Sequence, residues 1–244
     1  MSRLSRACSL DEETVDKAVD LLTSWGKKII QPKDTPGFLV SRITRPYFRE
    51  ASQILEENMG DPPTIDWAMK KIGGFEAGPF ELIDQIGNDI NYRVTKSIFE
   101  GLYFDPRYTP SISQKRMVEA GLLGKKAGKG FYEYGKNAAL SQPTKNEVLG
   151  NEIFQRVLVM LINGAVETLW KGIGTADEIE LAAIYGARYP KGLLSWCDEI
   201  GLQKILDQLE SLQSRYSQER YRPSPLIKRM AHNGETFSEK FSGI

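Results

Sequence analysis

The strongest constraint on this chain is that it is written twice. A stripe of apolar residues at helical spacing, Ile43, Tyr47, Ala51 and Leu55, closes at Gly60. A second, Val157, Leu161, Ala165 and Leu169, lies 114 positions later and closes at Gly174. The offset then persists. Asp61 stands as a cap before PPTIDWAM, and Thr175 before ADEIELAA, where Glu178 gives capping-box spacing. Ile65 answers Ile179, Ala68 answers Ala182, Gly78 answers Gly192, Asp84 answers Asp198 and Gly87 answers Gly201. One deletion later, Tyr108–Ser111 (YTPS) meets Tyr221–Ser224 (YRPS). Caps, stops and turns kept in phase predict two copies of one helical unit: a long helix, two short ones, a medium one and a final turn of helix. The apolar stripes themselves are core.

Before the first copy, a helix is expected to open at Ser9, which has capping-box spacing to Glu12. It continues through Val15, Ala18, Val19 and Leu22 and stops at Gly26. Lys27–Gln31 reads as a strand. Thr35 is placed to cap the next helix, with Pro36 at its first position. Gly130–Tyr134 (GFYEY) is strand-like, and the stretch after it, rich in Gly, Asn, Ser and Pro, reads as a linker. The expected organisation is therefore a short α/β segment over 1–33, a helical domain over 34–135, a linker over 136–147 and a second helical domain over 148–244. The fold class is all-α.

Thirty-two basic and 32 acidic side chains leave no net charge, which argues against nucleic acid or an anionic membrane as the main partner. No apolar run approaches the roughly 20 residues of a membrane span. The first residues turn acidic too soon for a signal peptide. Cys8 and Cys197 are too far apart in sequence to suggest a disulfide scaffold or a zinc site, which favours a cytoplasmic protein with reduced thiols.

Chemistry is sparse. The one histidine, His232, has no nucleophile elbow or metal-ligand spacing near it and reads as a solvated helix end. Gly121–Tyr134 (GLLGKKAGKGFYEY) fails the phosphate-loop pattern, with Leu123 at the first glycine position and Gly130 at the Ser/Thr position. It is either a lysine-rich turn or a contact from Lys125, Lys126 or Lys129 to a phosphate-bearing ligand. In Gly73–Gly87 (GGFEAGPFELIDQIG), Gly73, Gly74 and Gly78 permit close backbone approach. Pro79 there opens a helix whose N–H groups either face a ligand or simply close a turn.

Together, KDTPGFLVSRI…YFREASQILEE, GPFELIDQIGND and LLGKKAGKGFYEYGK resemble the C-terminal part of the NAD-dependent 3-hydroxyacyl-CoA dehydrogenases. The second unit is similar to the extra copy in longer bacterial members, and YSQERYRPSPL resembles the phenylacetate-degradation type. The resemblance implies a helical domain that forms one wall of an acyl-CoA cleft and a homodimer interface, behind a Rossmann domain that carries NAD and a His–Glu pair. Residues 9–31 resemble only the closing helix and strand of that Rossmann domain. No glycine-rich turn is present, so no NAD is expected on this chain alone; a separate Rossmann subunit would supply it.

The family's PGF-x-x-N-R reads PGFLVSR here. Ser41 stands at the family's active-site Asn, and Gln155 followed by Arg156 holds the place in the second copy. By resemblance, Ser41 is the catalytic-position residue, and Phe38, Arg42, Gly78, Pro79, Phe80, Lys125 and Lys126 are the substrate-binding candidates. The implied function is the substrate-wall and dimerisation part of a 3-hydroxyacyl-CoA dehydrogenase. The alternative is a non-catalytic dimeric acyl-CoA-binding or scaffold module.

Overall fold

The computed structural model describes residues 2–3, 12–135 and 142–241. Ser9, Cys8 and residues 136–141, half of the expected linker, lie outside the described residues. The helix expected from Ser9 is described as α1, Glu12–Ser24. Gly26, at φ 68°, ends it with a return bond to the Thr23 carbonyl, because the left-handed turn there suits a residue without Cβ. The expected strand shortens to β2, Ile29–Ile30, which pairs in parallel with β1, Ser2–Arg3.

The first copy runs α2 (Phe38–Glu56), α3 (Pro62–Trp67), α4 (Pro79–Ile86), α5 (Asn88–Gly101) and α6 (Ile112–Glu119). The second runs α7 (Glu147–Trp170), α8 (Ala176–Leu181), α9 (Leu193–Ile200), α10 (Leu202–Tyr216) and α11 (Pro225–Asn233), followed by α12 (Phe237–Lys240). The order of a long helix, two short, one medium and a final short one holds in both. So does a detail that no motif announced. α3 and α8 each run on into one π-helical turn, Ala68–Ile72 and Ala182–Gly186, again 114 residues apart.

The caps are made as expected. The Asp61 carboxylate accepts from the Thr64 N–H, and Thr175 with Glu178 forms the reciprocal box. Ser111 caps α6 through its hydroxyl. The tyrosines of YTPS and YRPS, Tyr108 and Tyr221, are both buried.

Three expectations give way. Thr35 does not cap α2. Gly37 (φ 82°) and Phe38 (φ 48°) both enter the left-handed region, so the helix starts only at Phe38, and the Thr35 hydroxyl is buried without a partner. The α2 stripe is closed by Ile54 and not by Leu55, which is half-buried. Gly130–Tyr134 is not a strand but a turn with isolated bridges.

α7 also exceeds its expectation. By length and composition it is apolar enough to cross a membrane, the one such helix among the described residues. Yet 72% of its apolar window is buried inside the protein. It is a core helix: Val157 to Ile162 are buried without interruption, so it packs on more than one face.

The chain divides into two compact units, residues 1–44 with 161–244, and residues 45–160. This partition differs from the linear repeat, because α2 and α7 each contribute to both units. In the first unit the Lys33 N–H donates to the Ile173 carbonyl, and the Gln31 N–H donates to Glu178. In the second, Arg156 on α7 reaches Glu50 and Glu57 of the α2 segment at 2.6 Å each.

Candidate functional site

In the first unit, the residues of PGFLVSR are held by one turn. The Phe38 N–H donates to the Thr35 carbonyl, which bends the chain back through Gly37. The Arg42 side chain, only 3% exposed, folds over that turn and donates from Nε to the Pro36 carbonyl at 3.1 Å. Ser41 is half-buried. Its carbonyl accepts from the Thr44 hydroxyl, and its own hydroxyl has no partner among the described residues. It leaves the buried face made by Leu39, Ile43 and Tyr47. Phe38, Ser41 and Arg42 therefore share one short turn-and-helix start.

In the second unit, Gly78, Pro79 and Phe80 do something other than face a ligand. The Asp66 carboxylate, at the end of α3, accepts from the N–H groups of Phe80 and Glu81, at 2.9 Å each. The first-turn donors of α4 are thus already spent, and the Gly78 N–H is taken by Glu81. Phe80 is fully buried against Phe131. Gly78 is glycine because a Cβ there would meet the Asp66 side chain at 2.2 Å. Of the two readings of the helix opening at Pro79, the structure shows the closed turn: a carboxylate of the same chain takes the amides that a ligand would have used.

The second copy repeats the device in the other unit. Glu180, 114 residues after Asp66, accepts from the Leu194 N–H and the Ser195 hydroxyl, and Gly192 clears it. The sequence carried this signal as an acidic residue twelve positions before each helix-opening glycine, Asp66 before Gly78 and Glu180 before Gly192.

The lysine-rich turn is organised by a second buried carboxylate. Asp84 on α4 accepts from the N–H groups of Phe131 and Tyr132, at 3.0 and 2.9 Å, and from the Tyr134 hydroxyl at 3.1 Å. A Cβ at Gly130 would collide with the Asp84 carboxylate and one at Gly124 with the Asp84 backbone, so the glycines that imitate a phosphate loop let the turn close on Asp84. Asp198 does the same in the second copy, accepting from the N–H groups of Phe237 and Ser238. Of the lysines, Lys126 is paired with Asp89 at 2.5 Å and Lys129 with Glu133 at 2.6 Å. Lys125 is exposed and has no partner among the described residues.

Burial sets the electrostatics here. It pushes Asp66 up to about 7, against the lowering effect of the Phe80 N–H and the Tyr132 hydroxyl, which donates to it at 2.7 Å. Burial, reinforced by the Asp66 charge, holds Tyr132 well above the usual phenol range. Burial also raises Asp84. Cys197 is buried and its thiol is pushed up to about 12, so it is unreactive. His232 is exposed in the last turn of α11.

The candidates thus fall in two places, Phe38, Ser41 and Arg42 in one unit and Gly78, Pro79, Phe80, Lys125 and Lys126 in the other. Sequence reasoning missed Asp66 and the roles of Asp84 and Thr35, which anchor or border these two places.

Comparison with known proteins decides what such a doubled unit is. The 3-hydroxyacyl-CoA dehydrogenase C-terminal domain matches residues 37–134 and again residues 153–244. The chain belongs to this family. It is 30% identical over 304 aligned residues to the 3-hydroxyadipyl-CoA dehydrogenase of Escherichia coli (strain K12), covering 90% of this chain and 64% of that protein. It is 32% identical over 241 residues to the fatty acid oxidation complex subunit alpha of Shewanella amazonensis, covering 92% and 33%.

Among solved structures, the 3-hydroxybutyryl-CoA dehydrogenase of Escherichia coli K12 superposes with a TM-score of 0.86 at 28% identity, over 95% of this chain and 67% of that one. The (S)-3-hydroxybutyryl-CoA dehydrogenase of Ralstonia eutropha matches over 55% of this chain with a TM-score of 0.53 at 36% identity. The chain spans 64% and 33% of the two relatives it was aligned with by sequence. The family match covers both repeats, so the tandem helical domains seen in the sequence are two copies of the family's C-terminal domain.

Proposed function

We propose that this chain is the acyl-CoA-facing and dimer-forming helical part of a cytoplasmic, NAD-dependent 3-hydroxyacyl-CoA dehydrogenase. NAD is bound by a Rossmann domain or subunit that completes the enzyme. The reading is carried by the tandem family match over 37–134 and 153–244. It is supported by the superposition over 95% of the chain.

In this reading, the half-buried Ser41 hydroxyl donates a hydrogen bond to the thioester or 3-oxo carbonyl of the substrate. A serine is shorter than an asparagine amide, so a water bridges the remaining gap. Ser41 does not act as a nucleophile, because its hydroxyl is hydrogen-bonded to no base among the described residues. Phe38, on the same turn, lines the acyl path. When held by the completing domain, NAD would supply the hydride acceptor for oxidation at C3, and a base of that domain would take the 3-hydroxyl proton.

The test mixes the chain with the Rossmann part of the Escherichia coli relative and follows absorbance at 340 nm with a 3-hydroxyacyl-CoA and NAD. It is paired with calorimetric titration of the chain alone by acetoacetyl-CoA and by NAD. The expected outcome is binding of the CoA ester, no binding of NAD, and a rate that appears only on mixing. Micromolar NAD binding by the chain alone overturns the division of labour. CoA-ester binding without any rate on mixing selects the alternative, an acyl-CoA-binding module in which Ser41 marks a lost activity.

A further inference from the structure

The repeat provides an internal control for the arginine beside Ser41. Arg42 and Arg156 occupy the same position, 114 residues apart. Both are buried, at 3% and 5% exposure. Arg156 is fully compensated. Its Nε donates to Glu50, and its terminal nitrogens donate to both carboxylate oxygens of Glu57 at 2.6 and 3.0 Å.

The positions that answer Glu50 and Glu57 at the same offset are Gly164 and Lys171, which supply no carboxylate and one cation. Arg42 accordingly has a single bond, from Nε to the Pro36 carbonyl, and no acidic partner among the described residues. Its terminal nitrogens make no hydrogen bond to a described residue. One residue before Pro36, the Thr35 hydroxyl is buried and also without a partner. The turn that brings them together holds a non-glycine residue, Phe38, at φ 48°. Strain, and a hydroxyl and a cation that are buried and unpaired among the described residues, on one turn describe a place built to receive something.

We propose that Arg42, with Thr35 beside it, forms an oxyanion-binding socket: the guanidinium fork takes a carboxylate or phosphate group from outside these helical units. A guanidinium with its terminal nitrogens unpaired presents parallel N–H donors that match two oxygens of one anion. Two sources carry that chemistry, a phosphate of a CoA ester and a carboxylate. The inference rests on the dehydrogenase reading only in naming the CoA ester. The socket itself needs neither NAD nor a rate.

The experiment is thermal unfolding of the full chain in phosphate, in acetate and in coenzyme A, each against chloride at equal ionic strength, for wild type, Arg42→Met and Arg42→Lys. The wild type is expected to gain about 2–4 °C at saturating oxyanion. Arg42→Met is expected to lose that response while melting no lower than wild type in chloride, because the free chain holds Arg42 as an uncompensated charge. Arg42→Lys, with a point charge instead of a fork, is expected to keep only part of the response. A gain with phosphate and coenzyme A but not acetate assigns a phosphate, and a gain with acetate assigns a carboxylate. No gain with any of the three overturns the proposal. So does an equal gain in Arg42→Met. A collapse of Arg42→Met in chloride also overturns it, since that would show Arg42 already satisfied. Loss of dehydrogenase activity in the complementation assay with the socket response intact would sink the functional reading and leave this one standing.

Discussion

A methyl group added at Gly78 would sit 2.2 Å from Cγ and 2.3 Å from Cβ of Asp66, a buried side chain with no room to retreat. At Gly192 it would meet the carboxylate end of Glu180, which lies farther along a flexible stem. Gly78→Ala is therefore expected to cost about 3 kcal/mol and Gly192→Ala about 1 kcal/mol, by urea unfolding. Equal costs would show that both carboxylates yield.

Asp66 also fixes a pH dependence. Its folded pKa, about 7, lies above its ordinary 3.8, so between those values the folded state holds a proton that the unfolded chain has released. The stability from this group is complete below the unfolded value and is lost as pH rises through 7, with a slope of at most about 1.4 kcal/mol per pH unit. Asp84 is shifted the same way and adds to the trend. Asp66→Asn removes the Asp66 part of the slope, which unfolding at pH 4.5, 6 and 7.5 would show. It also turns one acceptor into a donor against the Phe80 or Glu81 N–H, so the variant is less stable than wild type at the acidic end. For Ser41, an asparagine restores the longer amide of the family's motif. Ser41→Asn should raise the rate in the complementation assay, and Ser41→Ala should lower it, each by up to about 10²-fold. A drop in melting temperature with unchanged acyl-CoA binding would instead identify Ser41 as a packing residue.

At the scale of elements, carboxylates replace loops as the organising parts. Asp84 holds the lysine-rich turn to α4 through two backbone amides and the Tyr134 hydroxyl. Asp84→Ala is expected to release 121–135 to limited trypsin cleavage at Lys125, Lys126 and Lys129 while leaving the second copy resistant. Simultaneous cleavage throughout would mean that the turn is not an independent piece. The α2 and α7 segments of the second unit are joined by Arg156, Glu50 and Glu57. Arg156→Met removes the guanidinium that reaches the buried Glu50 and the partly buried Glu57. A loss of about 3–5 kcal/mol is expected in urea unfolding. A loss below 1 kcal/mol would show the network to be dispensable.

Over the whole molecule, the repeat and the compact units divide the chain differently, because two long helices each serve both units. Exposed large apolar side chains occur in both, among them Leu21, Trp25 and Trp170 in one and Tyr103, Phe104 and Ile112 in the other. That much uncovered apolar surface fits the homodimer proposed with the function, for which about 1,200 Å² or more is buried in stable pairs. Light scattering at micromolar concentration is expected to give twice the 27.5 kDa chain mass. A monomer there argues against pairing through these domains.

The all-α class, the helix order, the caps at Asp61 and Thr175, and the family were legible in the sequence, because periodicity and capping are local and the repeat states them twice. The start of α2 was not, since Thr35–Pro36 carries a good cap signal that the left-handed turn at Gly37 and Phe38 overrides. Nor were the roles of Gly78, Gly124 and Gly130. A glycine records only that something comes close, and a ligand phosphate and a carboxylate of the same chain leave the same mark on the sequence. Which one it is depends on where Asp66 and Asp84 end up, 12 to 46 residues away along the chain. The same holds for the two arginines. The sequence makes Arg42 and Arg156 equivalents. Only the tertiary structure shows one of them gripped by two glutamates and the other without an anion of its own among the described residues, because charge compensation is decided by neighbours in space.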